Sequence, residues 1–132
     1  MVTFDSYLEN PCSLTFEQMR VLHGKMISEI AGDSEALEFY EDLVKAAVIY
    51  AAVRASWNSL TLEEKADKDA SRTSHHDSLI THFNMLSRYL RSTGKAAAWR
   101  DDLGYEEDNP NNRKAIGDFG CYIVFVNSIN AR

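Results

Sequence analysis

Two stretches of this chain are apolar on every side: Ala46-Ala47-Val48-Ile49-Tyr50-Ala51-Ala52-Val53, and Phe119 to Val126 around Gly120 and Cys121. A helix on a protein surface carries one apolar stripe, whereas one that is apolar all round belongs in the middle of something. The pattern predicts an all-α architecture, a bundle of five or six helices wrapped around two central hydrophobic helices. Those two are enclosed either within one chain or across a subunit boundary. A chain of 132 residues is read as a single helical domain, able to bury roughly two thirds of its unfolded surface without metal or disulfide staples.

Charge is unevenly placed. Residues 1–45 hold nine acids against three bases, which accounts for the whole net charge of −6, and the remaining 87 residues balance. DNA and anionic membranes require Lys and Arg gathered on one face. An acidic front with a neutral back argues against both, so no nucleic-acid or membrane partner is expected. The densest basic group is Arg88, Arg91, Lys95 and Arg100. Its first three members lie near a predicted helix C-terminus, where cations complement the helix dipole. Cys12 and Cys121 are far apart, and the acidic start Met1-Val-Thr-Phe-Asp5 is no secretory leader, so a reducing, cytoplasmic setting is expected. The longest apolar run is eight residues, against the roughly 20 that span a bilayer.

Along the chain, residues 1–12 read as an irregular lead-in. Thr15 and Gln18 form a capping box for a first helix with Phe16, Met19, His23, Met26 and Ile30 on one face, closed by Gly32. Asp33 or Ser34 caps a second helix running to about Trp57. Thr61 and Glu64 open a third, short and mostly polar. The cluster Ser71-Arg72-Thr73-Ser74 either kinks it or separates it from a fourth, whose stripe is Leu79, Phe83, Leu86 and Leu90, with Gly94 at its end. Lys95 to Asp102 is a short helix carrying Trp99, ended by Gly104, and an acidic loop follows. The last segment has the β-branched and aromatic content of a strand. Helix is nonetheless expected from Asn109-Pro110 as cap and first position, and from the three–four spacing of Ile116, Phe119, Ile123 and Val126. A lone strand would also have no partner for its backbone.

Several constellations could carry chemistry. His75 and His76 are adjacent and diverge by about 100° on a helix, while His75 and His82 lie two turns, roughly 10 Å, apart. No pair has chelating geometry by itself. His82 falls inside the apolar stripe, where a hydrogen-bonded core histidine is the usual finding. Glu38-x-x-Glu41 and Glu64-x-x-Asp67 resemble the E-x-x-E…E-x-x-D magnesium-binding pattern of the MazG-like all-α nucleotide pyrophosphohydrolases. That resemblance implies four carboxylates holding Mg²⁺ on a triphosphate. Position opposes it: a straight second helix carries the chain about 24 Å beyond Glu41 before it turns. Cys121 sits among apolar residues that raise a thiol pKa, so it reads as packing. No Gly-rich phosphate loop or nucleophile elbow is present.

Arg72, Trp99, Arg100 and Arg113 fall in or beside connections, and with His75 they are the candidate contact residues, Arg and Trp being frequent anchors of recognition surfaces. The competing reading has Trp99 plugging the bundle end and the arginines pairing with Glu106-Glu107-Asp108. The stretches Arg72-Thr73-Ser74, Leu86-Ser87-Arg88-Tyr89, Trp99-Arg100 and Arg113 to Phe119 resemble those of a small bacterial helical family of unassigned function. The resemblance implies a bacterial cytoplasmic protein and no particular activity. The expectation is thus a non-enzymatic helical protein acting through protein–protein contact as a homodimer or other homo-oligomer, with no cofactor. The alternatives are the Mg²⁺-dependent pyrophosphohydrolase and a small-molecule pocket between helices lined by Met, Tyr and Trp.

Overall fold

Local chemistry sets the helix ends. In the computed structural model, which describes residues 14–57, 59–103 and 113–130 (the side chains of 113, 114, 129 and 130 excepted), α1 spans Phe16–Ile30. Thr15 Oγ1 accepts the Gln18 N–H at 3.0 Å and Gln18 Oε1 accepts the Thr15 N–H at 2.8 Å, the reciprocal capping box. A type II turn follows. Ala31 sits at φ −54°, ψ 130°, Gly32 at φ +79°, and the Asp33 N–H donates to the Ile30 carbonyl at 3.0 Å. The third position of such a turn needs positive φ, which glycine takes without steric cost. Asp33 Oδ1 then accepts the N–H groups of Glu35 and Ala36 at the start of α2 (Ser34–Trp57).

A second capping box, Thr61 with Glu64, opens α3. This helix runs unbroken from Leu62 to Ser92, 31 residues or about 46 Å. The helix is therefore not broken at Ser71–Ser74, and no separate fourth helix begins there. Small polar residues weaken a helix through local side-chain competition, but here the neighbouring side chains are engaged elsewhere: the Arg72 guanidinium lies 4.2 Å from the Trp57 ring centroid, and His76 stacks on Tyr50. At the far end, Lys95 N–H reaches the Leu90 carbonyl and Gly94 N–H the Arg91 carbonyl, a Schellman closure with Gly94 at φ +91°.

The short α4 begins at Ala98, later than Lys95, and ends at Asp102. Ala97 before it is held at φ +48°, a left-handed conformation costly for any residue with a Cβ. Glu29 of α1 holds it there, accepting the Ala97 N–H at 3.0 Å and the Trp99 indole N–H at 2.7 Å. The tail is helical, α5 spanning Arg113–Asn130. The lead-in over 1–12 with Cys12, the closing Gly104, the acidic loop and the Asn109-Pro110 cap lie outside the described residues.

Among the described residues the architecture is five helices and no strand. α2 and α3 form an antiparallel hairpin. α5 lies antiparallel to α2, pairing Asp118 with Arg54 and Asn127 with Tyr40, and runs alongside α3, with Phe119 stacked on Phe83 at 5.7 Å. From Ala115 to Ile123 every residue of α5 is buried, so this helix is central. Gly120 allows the approach to α3: a methyl group there would lie 2.7 Å from Leu79 Cδ2. α1 packs through Met19, Leu22, Met26 and Ile30, and Trp99 of α4 plugs the core beside Phe83. Among the described residues no helix is long and apolar enough to cross a membrane.

α2 contacts α1, α3 and α5 but is not enclosed. Val48 and Ile49, the middle of its apolar run, are 48% and 50% exposed. The first half of α3 is also open, with no buried side chain over residues 62–78 and Leu62 86% exposed.

Candidate functional site

Two features stand out: a polar seam inside the bundle and a bare apolar face outside it. The seam joins three helices. Tyr50 and Arg54 share one face of α2, one turn apart, and meet His76 of α3 and Gly117, Asp118 and Cys121 of α5. Arg54 Nη2 donates to Asp118 Oδ1, with the two side chains 3% and 0% exposed. Arg54 Nη1 lies 3.8 Å from Cys121 Sγ, and the guanidinium sits 5.9 Å from the Tyr50 ring centroid. Tyr50 in turn stacks on His76 at 4.9 Å and 19°. A methyl group at Gly117 would lie 2.8 Å from the Tyr50 hydroxyl, so the seam closes tightly over α5. Burial works against the Arg54 charge, but Tyr50, Cys121 and Asp118 more than offset it and raise its affinity for the proton. Nη1 and Nη2 of Arg54 are both engaged within the seam, whereas its buried Nε makes no hydrogen bond among the described residues. A buried pair of this kind fixes which faces meet more than it adds net stability.

The bare face lies on the opposite side of α2. Val48, Ile49, Ala52 and Ala55 are exposed there, with Lys45 one turn before Ile49. No acid occurs between Asp42 and Glu63, the longest acid-free stretch in the first half of an otherwise acidic chain. The other exposed large apolar residues are Phe16, Val21 and Ile27 on α1, Leu37 at the start of α2, and Leu62 and Met85 on α3.

The candidate contact residues do not form one surface. Arg72 stacks on Trp57 and lies 3.6 Å from Asp69, and His75 is half-buried one residue from the seam. Trp99 and Arg100, named as candidate contacts, are both buried, which fits the competing reading of Trp99 as a plug, and Arg100 Nε donates to Asn84 Oδ1 at 2.8 Å. They hold α4 in place and present nothing outward. The side chain of Arg113 lies outside the described residues. His82 is half-exposed rather than in the core, its Nδ1 turned back to the Ser78 carbonyl at 2.8 Å.

Glu38 and Glu41 lie exposed on the first turns of α2, whereas Glu64 and Asp67 lie on the first turns of α3, past the other end of α2. Glu64 is already occupied by the N-terminal cap. Among the described residues no three His, Cys, Asp or Glu side chains come together to hold a metal ion. A surface groove of about 320 Å³ beside α1 and α4 is lined by Leu14, Thr15, Glu17, Gln18, Val21, Leu22, Lys25 and Asp102, without Met, Tyr or Trp. Lys25 and Asp102 bridge across it at 3.5 Å.

Arg54, Asp118 and Tyr50 were not among the sequence candidates. The available signal was a lone charge inside an uncharged stretch: Arg54 between Lys45 and Glu63, Asp118 between Lys114 and Arg132. No family model, curated protein or solved structure gives a significant match to this chain.

Proposed function

We propose that this chain is a non-enzymatic helical protein that works through protein–protein contact and pairs with a second copy of itself through the outer face of α2. The observation behind this reading is that Val48 and Ile49 stand half exposed in the middle of an apolar run. The acid-free stretch favours a second copy in particular. Two chains of net charge −6 repel each other over most orientations, and this face lets them meet without opposing carboxylates. An antiparallel pairing of α2 with its copy sets Val48 against Ile49, with Ala52 and Ala55 small enough for close approach. Burying the exposed halves of both residues in both copies contributes about 4 kcal/mol, at about 1 kcal/mol each. Light scattering across a micromolar concentration series tests the reading: a mass that rises to twice the chain mass supports it, and a constant monomer mass rejects it.

A further inference from the structure

At the junction of α1, α2 and α5, one direction of a hydrogen-bond chain gives every donor in it an acceptor. Asn127 Nδ2 on α5 donates to the Ile123 carbonyl at 2.8 Å, which fixes the amide orientation, and donates its other hydrogen to the Tyr40 hydroxyl at 3.0 Å. The Tyr40 oxygen lies 2.8 Å from His23 Nε2 on α1. A phenol has one hydrogen to give. With Asn127 feeding its oxygen, that hydrogen finds an acceptor in the junction when His23 Nε2 is the unprotonated nitrogen of a neutral ring, and the tautomer is assigned on that ground.

We propose that this chain is a proton-operated latch: neutral His23 holds α1 against α2 and α5, and protonation of Nε2 loosens α1. An imidazolium has hydrogens on both nitrogens and accepts nothing. Its Nε2–H can use the remaining lone pair of Tyr40 only if the phenol hydrogen turns away, and that hydrogen then loses its acceptor inside the junction. Among the described residues nothing nearby compensates the added charge. The titratable groups facing the ring are Tyr40 from α2 and Tyr122 from α5, the latter edge-on at 5.9 Å. Glu17 and Arg20 on α1 are closed on each other beside Tyr122. Among the described residues no carboxylate pairs with His23. Burial pushes the ring below the usual histidine range in the same sense. The latch energy is therefore fully present above about 6.5, the usual unfolded value, and lost as pH falls below it toward the lowered folded value.

The junction is one tether, beside Glu29 at the other end, of a helix whose buried face is Met19, Leu22, Met26 and Ile30, so its release uncovers apolar surface. Hydrogen exchange of the α1 amides, corrected for intrinsic rates, tests the latch at neutral and mildly acidic pH. The expected result is a several-fold rise in opening of Met19–Ile30 on acidification, with α2 and α3 unchanged. His23→Gln, which keeps an acceptor but cannot titrate, removes the rise. Equal α1 protection at both pH values, or the same rise in the variant, overturns the proposal. Nitrogen NMR of the unaltered chain gives a second readout that needs no variant: the hydrogen on Nδ1 at neutral pH supports the latch, and a hydrogen on Nε2 rejects it.

Discussion

Arg54 of α2 and Asp118 of α5, 64 residues apart in sequence, close an ion pair sealed from solvent where α2, α3 and α5 meet. Removing one partner leaves an uncompensated charge in the core, which costs about 3–5 kcal/mol, whereas replacing both with apolar residues of similar volume is often neutral or stabilising. Asp118→Asn should lower the urea midpoint sharply. The double variant Arg54→Met/Asp118→Leu should recover most of that loss. A double variant as unstable as the single one would show that the pair itself supplies the stability.

The outer face of α2 gives a prediction with opposite demands on stability and assembly. Ile49→Glu places an acid in the acid-free stretch at a half-exposed site, so the folded monomer should be nearly unaffected. Self-association should weaken by about 2 kcal/mol, one from each copy, or roughly 30-fold in Kd. Sedimentation equilibrium of both chains measures this directly.

Two helical glycines should respond in opposite directions to the same substitution. Nothing lies within 4 Å of a Cβ added at Gly24, so Gly24→Ala gains helix propensity and should stabilise by about 0.5–1 kcal/mol. At Gly120 the same methyl group meets Leu79, which is fully buried, and overpacking of about 1–3 kcal/mol is expected. Thermal melts of the two variants should shift in opposite directions.

Acid sensitivity should centre on Asp33. The Ala36 N–H, then the Tyr89 hydroxyl, hold its carboxyl below its ordinary value of 3.8. A carboxylate lowered by folding contributes stability above that ordinary value and loses it as pH falls through the folded value. Tyr89→Phe removes the phenol that donates to both Asp33 oxygens, and should reduce the drop in urea midpoint between pH about 5 and about 2. The same contact pushes the Tyr89 phenol up to about 12, so alkaline titration of tyrosine absorbance should lose a late component in the variant.

Where sequence and structure agree, the signal was local. Thr15 with Gln18, Thr61 with Glu64, and Gly94 each encode a helix end within a few residues, and each end forms as its chemistry dictates. The spacing of Ile116, Phe119 and Ile123 likewise placed the tail in a helix, and all three are fully buried. What was not legible depends on distant partners. Ser71–Ser74 reads as a break until Trp57 and Tyr50 engage the residues around it. Apolar character marked all of Ala46–Val53 as interior, but hydropathy does not say which side of a helix its neighbours leave bare. Trp99 and Arg100 sit beside connections, a position that fits either a surface anchor or a plug at the bundle end, and Glu29 and Asn84 draw them inward.

The burial of α5 from Ala115 to Ile123 also bears on how the molecule is made. This helix follows the other four described helices in chain order, yet it is the piece they pack around. A ribosome that has released α1 to α4 has delivered walls without a centre, their inward apolar faces waiting for a segment still in the exit tunnel. Completion of this core must therefore wait for α5 itself, however early the preceding helices form.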